Sequence, residues 1–229
     1  MQNTRKIVLL SFDDGTVYDP RFVQLLNRYN IPCTFNLNSG LEDFVWYYED
    51  RFPIRRQRLA EAAAAGVYAG HEIAAHTRTH PDLTALPAAE FAREVGQDCD
   101  ALREAFGLAP DAPLGFAVPF THCNARENAL IRPYVRYIRL SEFTHSFAPP
   151  ADAWHIYVNG LYNDPDIYEK LAAFAACRLP LAVFVLCGHS YEFEVLDQWD
   201  EMERLLQTLR SCEDFEFMTT MQFVQTVLG

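Results

Sequence analysis

Two adjacent carboxylates, Asp13 and Asp14, stand where an apolar run ends in "LLSFDDGT". Side by side at the mouth of a buried strand they raise each other's pKa and are costly to desolvate, so something positive must sit against them. On its own an Asp-Gly pair reads as a turn. The stretch "GHEIAAHTRTHPDL" changes that balance, because it carries His71, His76 and His80. The last two are four apart, which places both imidazoles on one side of a helical turn. Two neutral imidazoles plus one carboxylate leave open positions for water and substrate, the donor set of a catalytic rather than a structural metal. A third feature is His189, which follows the apolar run of "VFVLCGHSYEFE". At the same end of the same sheet it is a candidate proton donor.

Positioning these groups requires buried strands. Continuous apolar runs of strand length recur at 6–12, 31–37, 114–120, 135–140 and 181–187, too unbroken for strands wetted on one face. Between them, Phe91, Val95, Cys99, Leu102 and Phe106 share one helical stripe. So do Ile167, Leu171 and Phe174, and Trp199, Met202, Leu206 and Leu209. Pro20, Pro87 and Pro165 fall near helix starts, and Gly66 and Gly107 just past helix ends. The alternation predicts an α/β fold of repeated βα units around a parallel sheet, either a barrel or an open doubly wound sheet. No repeat or linker divides the chain, so residues 1–229 read as one domain. The longest poorly patterned segment, 142–166, reads as a loop beside the site.

Composition narrows the function. Half the residues are hydrophobic and 22% are charged, the balance of a compact globule. A net charge of -12 argues against a nucleic-acid partner, which needs clustered Lys and Arg. The one dense basic group, Arg51, Arg55, Arg56 and Arg58, reads as a solvated helix face, so a strongly anionic partner would require a basic pocket that the sequence does not display. The six cysteines form no CxxC pair and mostly sit in apolar runs, which reads as a reducing compartment. No signal peptide or membrane span is visible, so the expected location is cytoplasmic. Trp46, Tyr47 and Tyr48 fit a sugar-stacking lid, a dimer contact or simple packing.

"SFDDGT", "GHEIAAHTRTH" with its His-Thr-x-x-His pattern, and the strand-end His189 together resemble the polysaccharide deacetylases, which include chitin, peptidoglycan and nodulation-factor deacetylases. The resemblance implies a distorted (β/α) barrel. It further implies that Asp13 is the general base, that Asp14, His76 and His80 bind a divalent ion, usually zinc, and that His189 is the general acid. It places the oxyanion donor after a proline, at Pro119 and the amide of Phe120. The implied activity is removal of an N-acetyl group from an N-acetylated carbohydrate. Two departures stand out. Many members begin the third motif with an arginine that braces the base, whereas this chain has Ala117 in "FAVPF". The fourth motif, Asp-Trp, has only "DAWH" as a counterpart, with Trp154 as a candidate substrate contact or a core residue, and Glu192 or Glu194 as alternative partners for His189. The missing arginine also admits relatives that open cyclic imides or ureides or deformylate lipid-linked sugars. A non-catalytic carbohydrate-binding module is the third alternative.

Overall fold

The computed structural model describes residues 4–120 and 123–229. Its strands are β1 (Arg5–Asp13), β2 (Thr34–Leu37), β3 (Val45–Tyr48), β4 (Phe52–Arg55), β5 (Glu72–Ala75), β6 (Phe116–Ala117), β7 (Ile138–Phe143), β8 (Ile156–Val158), β9 (Gly160–Leu161), β10 (Leu181–His189) and β11 (Phe215–Met218). The helices are α1 (Asp19–Arg28), α2 (Leu59–Ala64), α3 (Ala88–Phe91), α4 (Gln97–Ala105), α5 (Ala125–Ile131), α6 (Ile167–Ala176), α7 (Ser190–Val195), α8 (Trp199–Ser211) and α9 (Thr220–Phe223).

All pairings of the nine-stranded sheet are parallel, in the order β8-β7-β6-β5-β2-β1-β10-β9, with β11 also on β1. β8 pairs with β7, and its continuation β9 pairs with β10. That continuity closes the sheet into a distorted barrel. One edge of β1 is shared: β11 takes residues 6–9 and β2 takes residues 11–13. The alternation along β1 sorts its side chains. Ile7 and Leu9 join Tyr137, Ile156, Val158, Val183, Val185, Cys187 and Phe223 in an inner cluster, while Val8, Leu10 and Phe12 join the larger cluster under the helices. Strands buried on both faces explain the unbroken apolar runs. α8 seals the outer layer with Trp199, Met202, Leu205, Leu206 and Leu209; each such side chain contributes about 1.5–3 kcal/mol on full burial. Among the described residues no helix is long and apolar enough to cross a membrane.

Two expectations are corrected. Residues 142–166 are not a plain loop, since they hold the end of β7 and all of β8 and β9. Between these short strands, Asn159 donates its backbone N–H to Val185 O (2.9 Å) and accepts Val185 N–H through Oδ1 (2.8 Å), continuing the sheet with a side chain that no hydrophobic pattern reveals. The arginine-rich stretch is not a helix face either. β3 and β4 form an antiparallel hairpin, Arg55 ends it, and Arg56 is buried. β3 leans Trp46 edge-on against Tyr191, with ring centroids 5.4 Å apart.

Candidate metal and catalytic centre

The C-terminal ends of the strands open into a cavity of about 610 Å³ lined by Asp13, Asp14, His76, His80 and His189, among others. Parallel α/β barrels place their reactive groups at this end. Simple strand alternation would send adjacent aspartates to opposite faces. Asp13 keeps the inward direction of the β1 row; Asp14 leaves the strand at φ 89° while its N–H still donates to Asn36 O at 2.9 Å, so both carboxylates reach the cavity. Gly15 follows at φ 64°, where a Cβ would lie 2.9 Å from the Leu37 side chain. The turn therefore requires glycine.

His76 and His80 come together without the expected helical turn. They lie in the loop after β5, with Thr77 at φ 68° and His80 at φ 56°. The loop is held from several sides. Asn38 donates to His76 O and Thr77 O (2.6 and 2.8 Å), and Asp98 accepts from His76 N (3.1 Å) and Ser39 N (2.8 Å). Glu94 accepts from the N–H and hydroxyl of Thr79 (2.8 and 3.0 Å), and Thr77 Oγ1 accepts from His80 N (3.0 Å). Glu94 and Asp98 were missed in the sequence. Their signal was present: two acids four apart, interleaved with the apolar stripe that includes Val95 and Cys99.

These residues fit a divalent ion. His76 Nδ1 contacts Ala117 O at 2.8 Å, an acceptor that fixes the tautomer and leaves Nε2 as a ligand atom. His76 Nε2 and His80 Nε2 lie 3.9 and 3.7 Å from Asp14 Oδ1, and one ligand atom from each of the three lies within 4.8 Å of the others. For donors about 2.1 Å from a tetrahedral ion, that is close to the ligand-to-ligand spacing. Asp14 Oδ1 is a buried acceptor without an aligned hydrogen-bond donor. Burial lowers His76 to about 4 and also lowers His80, keeping both imidazoles neutral. Burial pushes Asp14 up, but Arg56, followed by His189, His76 and His80, holds it well below the usual carboxylate range.

Asp13 has different partners. Its Oδ1 accepts from Asn36 Nδ2 at 2.7 Å and forms a short, buried ion pair with Arg139 Nη2. Burial raises its pKa, and Arg139, His76 and His189 more than reverse the effect. Arg139 was not identified in the sequence, yet it stands in register opposite Ala117, the position where a bracing arginine was expected. The guanidinium thus arrives at the same level from the neighbouring strand. His189 is the register partner of Asp13 across β1 and β10. Its Nδ1 lies 3.4 Å from Glu192 Oε1, and its N–H donates to Glu192 Oε2 at 3.4 Å. Burial lowers the His189 pKa, but Glu192 and the two aspartates raise it to about 9. Of the two candidate partners for His189, Glu192 makes the contact; Glu194 accepts from Trp199 Nε1 at 2.8 Å.

The remaining candidates separate. Phe120 lines the cavity at φ 60°, its ring edge-on to His80, while Pro119 is buried behind it. Trp154 does not line the cavity. It packs on the core with Arg132 4.9 Å over its ring, and its carbonyl accepts from Asn128, because β8 begins just after it and carries the chain away from the mouth. His71 is structural, accepting from Cys33 N at 3.2 Å. His155 pairs with Asp152 Oδ1 (2.9 Å) beside a separate groove. His122, to which the sequence assigns no role, lies outside the described residues. Between and around the ionisable groups the cavity is lined by Leu41, Phe44, Trp46, Phe143, Leu161 and Tyr191.

Comparison with known proteins agrees with this arrangement. The family described as "Polysaccharide deacetylase" matches residues 1–133, which include both aspartates and the His76–His80 pair. A chitooligosaccharide deacetylase of Sinorhizobium fredii is 34% identical over 100 residues, covering 43% of this chain and 40% of that protein. A chitin deacetylase of Colletotrichum lindemuthianum is 27% identical over 120 residues, 52% of this chain and 44% of that protein. The chain thus spans less than half the length of the curated relatives it matches. The solved structure of the Colletotrichum enzyme superimposes with a TM-score of 0.60 at 18% identity, covering 94% of this chain and 86% of that one. The Xyl-CE4 domain of a multidomain xylanase from the hindgut metagenome of Trinervitermes trinervoides gives a TM-score of 0.62 at 17% identity, covering 97% and 91%. At these identities the structural likeness establishes the fold.

Proposed function

Because the chain belongs to the polysaccharide deacetylase family, we propose that it is a metal-dependent hydrolase that removes an N-acetyl group from an N-acetylated carbohydrate. One observation carries this reading: a three-donor cluster, a separately braced aspartate and a histidine with raised pKa face one cavity. Two imidazoles with one carboxylate favour zinc. Bound there, the ion would polarise the acyl carbonyl and acidify a water.

The chain's own groups supply the proton transfers. Asp13, kept ionised by Arg139 and oriented by Asn36, accepts the proton of the attacking water. The backbone N–H of Phe120 is the proposed donor to the developing oxyanion. His189, protonated near neutral pH by virtue of Glu192 and the aspartates, donates to the departing amine, which is too basic to leave unprotonated. Supporting a cytoplasmic location, all six cysteines are unpaired.

The test is acetate release from N-acetylated sugars and chitooligosaccharides by protein with and without chelator. Activity that chelation abolishes and zinc restores supports the reading; unaltered turnover after complete metal removal contradicts it. A second reading, hydrolysis of a compact amide such as a cyclic imide or ureide, is favoured by Trp46 of the β3–β4 hairpin and Phe44 just before it, which wall the cavity. Ring-opening and formate assays on the same preparation separate the two.

A further inference from the structure

Arg56 has no part in the proton transfers above, yet it lines the cavity and is only 6% exposed. Its position is fixed by the backbone: its N–H donates to Phe44 O (3.0 Å), Val17 N donates to Arg55 O (3.1 Å), and Gln57 N donates to Gly15 O (2.9 Å). Its guanidinium lies 4.6 Å from the Trp46 ring. Nη1 serves Asp14, 2.6 Å from Oδ1 and in short contact with the backbone carbonyl, whereas Nε is buried without a hydrogen-bond partner.

Holding a metal does not account for this arginine. A guanidinium against a ligand carboxylate opposes a second cation at the same carboxylate, and weakly screened surroundings strengthen that opposition. Asp13 with Arg139 and Asp14 with Arg56 already balance charge. A divalent ion on Asp14, His76 and His80 would leave the cavity with surplus positive charge. Among the described residues lining it, Asp13 and Asp14 are the only acids. The other described lining residues bring no further acid to meet the surplus, which favours an incoming anion. A planar guanidinium with free donors matches a carboxylate.

We propose that Arg56 is a specificity-determining residue that forms, between Asp14 and Trp46, a subsite for a carboxylate, borne by the substrate or released as the acyl product. The inference rests on the amide-hydrolase reading. It also supplies the basic pocket for an anionic partner that an overall charge of -12 conceals.

The experiment uses the zinc-loaded protein and a matched pair, an N-acetylated amino sugar carrying a carboxylic acid substituent and its methyl ester, with added acetate as a third arm. A substrate carboxylate at Arg56 gives a KM about tenfold or more lower for the acid than for the ester, the ratio expected for a charged hydrogen-bonded pair. A product carboxylate instead gives equal KM values and competitive inhibition by acetate. In either case Arg56→Gln removes the effect while zinc content, measured alongside, is retained. Equal KM values with no acetate inhibition overturn the proposal, and this arm needs only the wild-type protein, so it decides even if Arg56→Gln fails to fold. If neither sugar is hydrolysed, the reaction assignment fails on its own. Calorimetric titration of acid, ester and acetate into the same protein then tests the subsite: preference for either carboxylate over the ester supports it, and no preference overturns it.

Discussion

Two layers inside the barrel, two residues apart along the strands, treat a carboxylate withdrawn from bulk water in opposite ways. In the layer nearer the mouth, Asp13 meets Asn36 and the Arg139 guanidinium. One step deeper, Glu72 accepts from the Tyr137 hydroxyl (2.7 Å), the Thr34 hydroxyl (2.8 Å) and Met221 N (2.8 Å). No cation among the described residues pairs with the deeper group, and burial raises the Glu72 pKa despite its hydrogen bonds. Asp13 is the more buried of the two, yet its pKa is lowered. Burial alone therefore does not decide protonation. A guanidinium keeps one carboxylate ionised, as the proposed base requires, while neutral donors favour the acid form of the other and tie the segment after β11 to the barrel floor.

The largest expected effect comes from removing the ionised carboxylate. Asp13→Asn should lower kcat about 10²- to 10⁴-fold, with zinc content unchanged by elemental analysis. Retained activity would contradict its role as base.

Removing the cation instead leaves Asp13 buried and unpaired. Arg139→Met should cost about 3–5 kcal/mol in denaturant unfolding, the range for breaking a buried ion pair by deleting one partner. A loss near zero would mean that Asn36 alone suffices.

In the deeper layer, Glu72→Gln keeps the size and most hydrogen-bonding capacity, so its loss should be only about 1 kcal/mol. Its pH dependence has a definite sign. With a folded pKa raised above its ordinary value, the Glu72 contribution to stability is present at low pH and fades as pH rises through the folded pKa. For Asp13, with a lowered folded pKa, the contribution is present above the ordinary value and is lost as pH falls through the folded pKa. Unfolding of wild type, Asp13→Asn and Glu72→Gln across pH 3–7 should show the two trends running in opposite directions.

The smallest effect is a shift rather than a loss. In metal-free protein the His189 ring should titrate near 9, and Glu192→Gln should move that titration down toward the ordinary histidine value. Since the proposed acid must be protonated, the alkaline limb of activity should move to lower pH in the variant. An unmoved ring titration, followed by NMR, would assign the raised pKa to the aspartates alone.

Much of this arrangement was legible without coordinates. The five apolar runs became β1, β2, β6, β7 and β10, and the three stripes became helical segments, because continuous hydrophobicity and helical spacing report burial directly. The short strands β5, β8, β9 and β11 carry too few apolar residues to announce themselves. Asp13, Asp14, His76, His80 and His189 stood out as a set of residue types at strand ends. Arg56 and Arg139 did not, because an arginine in a mixed segment looks the same whether it faces water or a buried aspartate.

The sequence by itself determined the parallel α/β pattern, the candidate metal-donor set and the family, since each is written in local order: apolar runs, a His-Thr-x-x-His spacing, two acids before a glycine. Only the tertiary structure decided how those residues are braced. The bend at Asp14, the loop geometry that brings His76 to His80, and the guanidinium that arrives from β7 opposite Ala117 all depend on which strands become neighbours. Electrostatic partnership falls off with distance through space rather than along the chain, so a residue 126 positions away can set the charge of Asp13 once the barrel closes.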